Sequence, residues 1–494
     1  MRAVLNAQEM KNLDQKTIEM GIPSLVLMER AALSVADEIM FRRLPMQKVL
    51  VVCGTGNNAG DGIAVARILY LRGIAVDVFI AGERIKFSDQ MRQQVIAAEN
   101  FGLHFINSAD YQKYTLIIDA IFGIGLKRDV TGFYAKVIKE INLCDAFKVS
   151  VDIPSGIHTD DGRVMGTAVK ADMTVTFAAL KTGLCLYPGA AYAGEVLVKD
   201  IGIPVPVFGS DEACSVYACE DQDLKIRPDR FPAGNKSTFG KLLIIAGSEK
   251  MCGAAYLSAK AAMHTGAGMV KLYTHSLNRS PVFSRLPELL ITTYDEEGWD
   301  AEPLIKDMEW ADFVLIGPGL DTGVLSTKIL NTFLDNCRKP ALMDADALNM
   351  ISVRKEVLKD LPYPIVITPH IGEMARLTGY SSAEIKAAPF RIAEEFASEY
   401  GVTCMLKDAR TVIAEPDHSK YINLSGNSTL SKAGSGDILA GMTASFCMQY
   451  PYLHIPPFVL SAYLHGKSGE KAGEKYSQAG ARPEHVLEAI LDVQ

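Results

Sequence analysis

The sequence predicts two successive α/β domains, the first of them built on a doubly wound parallel sheet. Short apolar strands alternate with helical stretches over residues 48–152, and the same alternation resumes at residue 241. Between the two series lies a stretch with two prolines, 203–210, which is typical of an extended linker. The 494 residues are about three times the common domain size. We therefore expect domains at residues 1–211 and 220–494.

The first half opens with helices and continues as a series of strands. Apolar periodicity predicts helices over 7–20 and 24–42. Predicted strands follow at 48–53, 75–80, 103–106, 114–119 and 148–152. Helices over 61–72 and 90–100 separate several of them, and strand-like segments at 173–177 and 195–199 complete this half. Because strands joined through helices run parallel, this half predicts a parallel sheet.

The second half repeats the alternation of strands and helices but ends differently. Predicted strands lie at 241–246, 270–273, 313–316, 341–343, 365–367 and 402–406. Two helices close the chain, one following Gly434 and one over 458–470, with no strand between them. The halves share an architecture but no detectable internal repeat, so duplication is not supported.

Composition excludes several classes of protein. With 48% hydrophobic and 22% charged residues, the chain is neither disordered nor of low complexity. The net charge of −8 offers no broad basic surface, so we expect neither nucleic acid nor membrane as a partner. No apolar run approaches the ~18 residues of a membrane span. Nine scattered cysteines without a Cys-x-x-Cys pair are typical of a reducing compartment, so we expect a cytoplasmic protein.

A glycine-rich stretch follows the first predicted strand, and its polar residues are Asn57, Asn58 and Asp61. Glycines at this point let backbone N–H groups approach an anion at a helix N-terminus. The alternative is that the amides and the carboxylate only cap the helix and turn the chain. The spacing is not Gly-x-Gly-x-x-Gly, which disfavours an ordinary NAD dehydrogenase.

Polar residues also follow other predicted strands of the first half. Asp119 ends one strand, and Asp152 ends another just before Pro154-Ser155-Gly156. A loop between them contains Gly123, Ile124, Gly125, Leu126, Lys127, Arg128 and Asp129. Ligands of open α/β sheets bind at the carboxyl ends of the strands. Convergence of several such ends favours a ligand site over a set of helix caps.

In the second half, Gly434-Ser435-Gly436-Asp437 opens an apolar helix. Its N–H groups can stabilise a terminal phosphate, and Asp437 can take a proton from a hydroxyl that attacks that phosphate. The alternative is a glycine turn with an Asp favoured by the helix dipole. Further strand ends supply Gly319, Asp344, His370 and the run from Lys407 to Thr411. Taken singly, His370, His264 and His465 are more typical of structural histidines.

In this order on one chain, the motifs resemble the bifunctional NAD(P)H-hydrate repair enzymes. The resemblance covers nearly the whole chain and rests on residues 27–31, 56–62, 119–125, 151–156, 201–204, 266–268, 317–319, 344–348, 368–373 and 434–437. It implies a Rossmann-like NAD(P)H-hydrate epimerase domain followed by a ribokinase-like, ADP-dependent NAD(P)H-hydrate dehydratase domain. The first would interconvert the R and S epimers of NADH and NADPH hydrated at nicotinamide C6. The second would convert the S epimer to NAD(P)H, releasing AMP and phosphate.

The resemblance also implies roles for individual residues. Asp152 and Asp437 would be catalytic, and Asn58, Asp119 and Ser155 would hold K⁺. Substrate would contact Asn57, Asn58, Ala59, Gly60, Asp61, Gly123, Ile124, Gly125, Leu126, Lys127, Arg128, Asp129, Gly319, His370, Ile371, Gly372 and Glu373. ADP would contact Lys407, Asp408, Ala409, Arg410, Thr411, Ser435 and Gly436. Mg²⁺ is a further expected ion, and we expect a homo-oligomer.

The chain departs from the family pattern at three places. Asp408 stands where Gly is usual, and its charge predicts repulsion of nucleotide phosphates. Residues 427–434 differ from the usual Asn-Pro-Gly-Met-Ala-Thr-Gly-Gly, and Ala59 replaces a frequent Gly.

The alternative function is an ATP-dependent kinase for a small vitamin precursor, fused to a non-catalytic nucleotide-binding module. Such a kinase accumulates a phosphorylated product, whereas a repair enzyme releases free phosphate.

Overall fold

The computed structural model describes residues 1–203, 214–228 and 230–493, and these form two compact units. One unit is Arg2–Val216, and the other is Tyr217–Gln494 together with Met1. Of the predicted linker, 203–210, only Ile203 lies within the described residues. Among the described helices, none is both long and apolar enough to cross a bilayer.

The first unit is a parallel sheet covered by helices. Its strands are Arg2–Leu5 (β1), Val49–Cys53 (β2), Val76–Ile80 (β3), His104–Ile106 (β4), Leu116–Ala120 (β5), Phe147–Val151 (β6), Met173–Phe177 (β7), Leu180–Lys181 (β8) and Glu195–Lys199 (β9). Its helices are Ala7–Glu19 (α1), Ser24–Phe41 (α2), Asn57–Leu71 (α3), Asp89–Asn100 (α4), Gly132–Leu143 (α5), Thr182–Cys185 (α6) and Gly189–Tyr192 (α7).

Seven of the described strands pair in the order β4-β3-β2-β5-β6-β7-β9, all parallel. β1 pairs with β8 separately, also in parallel. β2 and β5 are buried along their whole length, which explains their nearly continuous apolar sequences. The strand order reverses between β2 and β5, and this switch point is where open α/β sheets bind ligands.

The helix after β2 begins at Asn57, four residues earlier than the sequence predicts. Asn57, Asn58, Ala59, Gly60 and Asp61 therefore belong to its first turns, and the predicted start of this helix at residue 61 is wrong. Gly56, in an extended conformation, is the N-cap, so the turn is complete before the two asparagines.

Two glycines permit this tight connection between β2 and α3. A Cβ on Gly54 would lie 2.1 Å from the carbonyl oxygen of Ile121, and one on Gly62 would lie 2.4 Å from Cβ of Ala120. Only glycine allows the backbone to approach so closely at these positions. The N-terminus of α3 is therefore held directly against the end of β5.

The second unit has the same α/β plan. Its strands are Val216–Ala218 (β10, at the boundary), Lys241–Ile245 (β11), Met269–His275 (β12), Leu290–Tyr294 (β13), Phe313–Ile316 (β14), Ala341–Met343 (β15), Ile365–Ile367 (β16), Thr403–Leu406 (β17), Val412–Ala414 (β18) and Lys420–Ile422 (β19). Its helices are Cys252–His264 (α8), Arg279–Phe283 (α9), Glu302–Trp310 (α10), Val324–Asn336 (α11), Asp346–Ile351 (α12), Ile371–Thr378 (α13), Ser382–Ala387 (α14), Pro389–Tyr400 (α15), Ser435–Gln449 (α16), Pro457–Tyr476 (α17) and Pro483–Val493 (α18).

Within this unit the strands pair in the order β13-β12-β11-β14-β15-β16-β17-β18-β19. The strands from β13 to β17 are parallel, and β18 and β19 continue the sheet as antiparallel strands. Helix α16 packs closely on α8, because a Cβ on Gly441 would lie 2.2 Å from the carbonyl oxygen of Ser258. This contact fixes the N-terminal end of α16 relative to the carboxyl ends of the strands.

Candidate functional sites

The first unit contains a cavity of about 710 Å³ beside the switch point of its sheet. Of the residues predicted from the sequence, those that line it are Asn57, Asn58, Asp61, Gly123, Ile124, Gly125, Leu126, Lys127, Arg128 and Asp152. Apolar side chains of α1 and α2, including Leu27 and Met28, complete the wall. A mostly apolar cavity with a few polar groups is the usual form of a small-molecule site.

Asp152 is fixed in this cavity by two polar neighbours. Its carboxylate lies 2.7 Å from the ammonium of Lys181 and accepts a hydrogen bond from the Thr176 hydroxyl. Lys181 is 1% exposed and also donates to the Thr176 hydroxyl and to the carbonyl oxygen of Phe177. Asp152 has φ +67°, a left-handed conformation that a non-glycine residue rarely adopts. Such strain at a cavity is typical of a functional site.

Two further carboxylates, Asp14 of α1 and Asp61 of α3, line the same cavity. Burial raises the pKa of Asp14 to about 6, and the charge of Asp152 raises it as well. Burial also raises the pKa of Asp61 well above its usual range, with contributions from Asp152 and Asp14. The cavity therefore contains carboxyl groups able to carry a proton near neutral pH.

Asp119 is fully buried, and its carboxylate accepts hydrogen bonds from neutral groups. The donors are the Ser155 N–H and hydroxyl, the Ser150 hydroxyl and the Ile121 N–H. Where β5 pairs with β6, Asp119 and Ser150 are neighbours in the register of the two strands. Burial raises the pKa of Asp119 despite these bonds. A buried carboxylate with only neutral donors leaves a negative charge for a cation to balance.

Asn58 lies in the first turn of α3, beside Gly123. Its side-chain nitrogen is buried and has no hydrogen-bond partner among the described residues. A Cβ on Gly123 would lie 3.0 Å from Cβ of Asn58, so the glycine leaves room for this side chain. A buried, unsatisfied amide in a native protein indicates a missing partner.

The second unit contains a cavity of about 420 Å³ at the N-terminus of α16. Of the predicted residues, those that line it are His370, Lys407, Asp408, Ala409, Thr411, Ser435 and Gly436. Gly434, with φ +97°, is the N-cap of α16, and the Ser435 N–H donates to the carbonyl oxygen of Lys432. The N–H groups of Gly436 and Asp437 belong to the first turn, where a helix has no carbonyl partners for them. These N–H groups and the helix dipole favour an anion in the cavity.

Lys407 supplies positive charge at this helix end. Its ammonium lies 2.7 Å from the Asp344 carboxylate, and a Cβ on Gly436 would lie 3.5 Å from it. Although burial opposes the charge, Asp344 and Glu373 raise the pKa of Lys407. The ammonium is therefore charged at neutral pH and lies beside the anion-binding turn.

Asp437 follows Gly436 in the first turn of α16. Burial and the charge of Asp344 raise its pKa to about 6. Burial and Asp344 also raise the pKa of Glu373, which lies near Lys407. A carboxylate with a pKa near 6 is suited to general-base catalysis at neutral pH.

Two histidines border the cavity in uncharged form. His370 caps α13, where its Nδ1 accepts hydrogen bonds from the N–H groups of Gly372 and Glu373. Burial and nearby Lys407 lower the pKa of His370. His465 of α17 lies 3.3 Å from the Ser435 hydroxyl, and burial together with Lys407 lowers its pKa to about 4. Both rings are therefore neutral groups that support the backbone around the anion site.

Two family models and several relatives match the chain. Residues 24–183 match the family model described as the YjeF-related protein N-terminus, and residues 242–492 match the model described as NAD(P)H-hydrate dehydratase. The bifunctional NAD(P)H-hydrate repair enzyme Nnr of Moorella thermoacetica is 35% identical over 99% of this chain and 96% of its own. The chain belongs to the family of bifunctional NAD(P)H-hydrate repair enzymes. The predicted family resemblance is confirmed.

Other repair enzymes and a solved structure support the assignment. The Nnr enzyme of Escherichia coli strain K12 is 34% identical over 81% of this chain and 76% of its own. A ribokinase-like superfamily protein from Enterococcus faecalis has a TM-score of 0.51 and 26% identity, and the match covers 56% of this chain and 95% of that one. The predicted α/β fold class is confirmed.

Some predicted residues of this family member lie outside the two cavity walls. Ala59 and Gly60 are buried in α3, where a Cβ on Gly60 would lie 2.7 Å from Met28. Asp129 lies at the exposed end of its loop, and the Arg410 guanidinium donates to the carbonyl oxygen of Leu424. The other predicted residues outside the two linings are Asp119 and Ser155 in the first unit and Gly319, Ile371, Gly372, Glu373 and Asp437 in the second.

Sequence reasoning overlooked four residues of these repair-enzyme cavities. Asp14 and Lys181 line the first cavity, and Asn427 and His465 line the second. Asp14 lies on a helix before the first sheet strand, and Lys181 lies on a two-residue strand, so neither follows a recognisable strand end. His465 was assigned a structural role because it lies in an apolar helix, and only its hydrogen bond to Ser435 reveals its place at the cavity.

Proposed function

We propose that the chain repairs hydrated NADH and NADPH through two activities. The first unit, residues 1–211 in our assignment, epimerises the R and S hydrates. The second, residues 220–494, dehydrates the S epimer to NAD(P)H at the expense of ADP and releases AMP and phosphate. Membership of the repair-enzyme family supports this proposal. The observation that carries the second activity is the pairing of Asp437 with a free helix N-terminus and Lys407.

The second cavity has the groups needed for transfer of the terminal phosphoryl group. The N–H group of Gly436 and the dipole of the helix would stabilise the charge on that group, and the Lys407 ammonium adds a positive charge. Asp437 takes the proton of the C6 hydroxyl while the hydroxyl oxygen attacks the β-phosphorus of ADP. AMP departs, the C6–O bond then breaks with release of phosphate, and loss of a C5 proton restores the double bond. Phosphate is a better leaving group than hydroxide.

The other assigned residues would bind the two ligands. Lys407, Asp408, Ala409, Arg410 and Thr411 would contact ADP with Ser435 and Gly436. Gly319 and the first turn of α13, from His370 to Glu373, would face the hydrated nicotinamide. In the first unit, the residues from Asn57 to Asp61 and from Gly123 to Asp129 would hold the substrate against Asp152, which takes part in epimerisation.

We assign K⁺ to Asn58, Asp119 and Ser155. The donor set fits a monovalent cation, because the ligands are oxygens and the buried Asp119 charge has only neutral hydrogen-bond partners. When bound, K⁺ would supply positive charge near the start of α3 and help to hold the substrate there. Mg²⁺ would enter with the nucleotide phosphates, because the described residues contain no group of three His, Cys, Asp or Glu side chains suited to a metal.

Two further proposals concern the enzyme as a whole. We place it in the cytoplasm, as expected from its scattered cysteines, and assign it a homo-oligomeric state. Its partners are the small molecules NADHX, NADPHX and ADP.

Separated epimers test whether the first unit catalyses epimerisation and the second unit catalyses dehydration. The wild-type enzyme is incubated with each epimer, with and without ADP, and the products are resolved by chromatography. Asp152→Asn should still convert the S epimer with ADP but should consume the R epimer only at its spontaneous interconversion rate. Asp437→Asn should epimerise but form no NAD(P)H. If Asp152→Asn consumes both epimers at wild-type rates, the first unit does not work through this carboxylate.

A further inference from the structure

The first cavity contains three half-buried carboxyl groups and one buried lysine. Asp14, Asp61 and Asp152 line it from three different elements, and Lys181 is the cation that acts on all three. The other basic residues of the cavity, Lys11, Lys127 and Arg128, are exposed at its rim. Solvent screens these rim charges much more strongly than the buried ones.

Lys181 is committed to one of the three carboxylates. Its ammonium has three N–H groups, which it directs to Asp152, to the Thr176 hydroxyl and to the carbonyl oxygen of Phe177. The Thr176 hydroxyl in turn donates to Asp152. Asp152 is therefore the salt-bridge partner of Lys181, and Asp14 and Asp61 have no ion pair among the described residues.

Two such carboxyl groups share a proton rather than ionise together. Burial and the charge of Asp152 raise the pKa of each, and Asp14 further raises that of Asp61. Because the charge of Asp14 raises the pKa of Asp61, Asp61 carries the proton when Asp14 is ionised. One acid and one base then face the same cavity.

We propose that Asp14 and Asp61 are additional catalytic groups of the epimerase, acting as a base and an acid that exchange one proton with the substrate. This inference rests on the proposed function of the first unit. Asp152 and Lys181 would then form a fixed pair that orients the hydrated ring and holds the two carboxyl groups at different protonation states.

The chemistry of inversion needs both groups. The base removes the proton of the C6 hydroxyl, the oxygen electrons form a C=O bond, and the C6–N1 bond breaks as the acid protonates N1. Rotation about C5–C6 presents the other face of the carbonyl. N1 then attacks C6 again and returns its proton to the carboxylate that had protonated it. The C6 oxygen takes back a proton from the other carboxyl group and becomes the new hydroxyl. No atoms or electrons are gained or lost, so no co-reactant is needed.

The test uses Asp14→Asn and Asp61→Asn in the full-length chain. Each should lower the rate of R-to-S conversion, corrected for spontaneous interconversion, by about 10²–10⁴-fold. ADP-dependent conversion of the S epimer by the same samples should be unchanged, which shows that the second unit is intact, and an unchanged thermal unfolding of the first unit shows that the cavity is folded. The matched control is Glu19→Gln, an exposed carboxylate on α1, which should leave both rates unchanged. Asp14→Glu should recover part of the activity, because it restores a carboxyl group.

A pH profile of the wild-type enzyme gives a second readout that does not depend on the variants. Epimerisation should fall at low pH, where both groups are protonated and no base remains, and at high pH, where both are ionised and no acid remains. An epimerisation rate that does not change with pH, or wild-type rates of epimerisation in both Asn variants, would overturn the inference. If the wild-type enzyme itself does not interconvert the epimers, the proposed function of the first unit fails instead.

Discussion

Asp437 is the residue on which the second reaction most depends. Because the ionised carboxylate is the proton acceptor and its pKa is raised to about 6, the dehydration rate of the wild-type enzyme should rise with pH through about 6. Asp437→Asn should lower the rate by about 10²–10⁴-fold and remove this pH dependence. Initial rates of NAD(P)H formation from pH 5 to pH 8 measure both effects. A variant with the wild-type profile would remove Asp437 from the mechanism.

The same carboxylate should lower the stability of the fold. A raised pKa means that the folded chain binds more protons than the unfolded chain between about pH 4 and pH 6, so stability falls as pH rises through this window. Asp437→Asn should therefore raise the free energy of unfolding by about 2 kcal/mol at pH 8 and change it little at pH 4. Thermal unfolding at the two pH values measures the difference. Equal effects at both would contradict this account.

Asp408 should have only a modest effect on nucleotide choice. It lines the second cavity next to Lys407 but is exposed, and interactions of exposed charges are worth at most about 1 kcal/mol. We expect ADP to support turnover, ATP to be a poor substitute, and Asp408→Gly to raise turnover with ATP by up to about fivefold. Asp408→Asn is the matched control and should match Asp408→Gly if charge alone matters. An unchanged ATP rate in both would show that this carboxylate does not face the phosphates.

For single residues, the sequence could predict the site residues that directly follow strands. It could not predict the site residues that reach a cavity from other elements. Asp152 and Lys407 follow strands, and the rule for open sheets places such residues at the ligand edge. Asp14 lies in a helix that precedes the sheet, and only the packing of α1 beside the cavity brings it close to Asp61. Propensity and periodicity carry no information about that packing.

Among the elements, the N-terminus of α16 is sensitive to a small change. Gly434 has φ +97°, and a Cβ there would lie 2.6 Å from a methyl carbon of Leu257. Gly434→Ala should lower the free energy of unfolding by about 1–3 kcal/mol and raise the KM for ADP, because the turn that holds the phosphate must shift. Epimerisation should not change.

The matched control for that substitution is Gly253→Ala in α8. A Cβ on Gly253 would meet nothing within 4 Å, and alanine favours a helix over glycine by about 1 kcal/mol. This variant should keep the wild-type KM for ADP. If Gly434→Ala also keeps it, the helix N-terminus does not hold the phosphate.

Buried parallel strands could be predicted from sequence, whereas short or partly exposed strands could not. Phe313–Ile316, Ala341–Met343 and Ile365–Ile367 agree residue by residue with prediction, because each is a wholly apolar run. Leu290–Tyr294 at the sheet edge was missed because it is only partly buried. Val412–Ala414 and Lys420–Ile422 were missed because they continue the sheet as antiparallel strands with no helix between them, so the alternation of strands and helices does not mark them.

For the whole molecule, the sequence could predict two α/β units and the edge at which each binds its ligand, because the strand and helix pattern determines both. It could not predict the order of the strands within each sheet, which depends on contacts between residues far apart in the chain. The two cavities at those edges support two reactions on one substrate, in which the first supplies the epimer that the second consumes.

The stoichiometry of repair tests this account most directly. A mixture of both epimers is incubated with excess ADP, and restored reduced dinucleotide, free phosphate and AMP are measured over time. We predict that all of the hydrate is converted, with one phosphate and one AMP for each NAD(P)H formed. A phosphorylated dinucleotide that accumulates without NAD(P)H, or conversion that stops when the S epimer is exhausted, would contradict it.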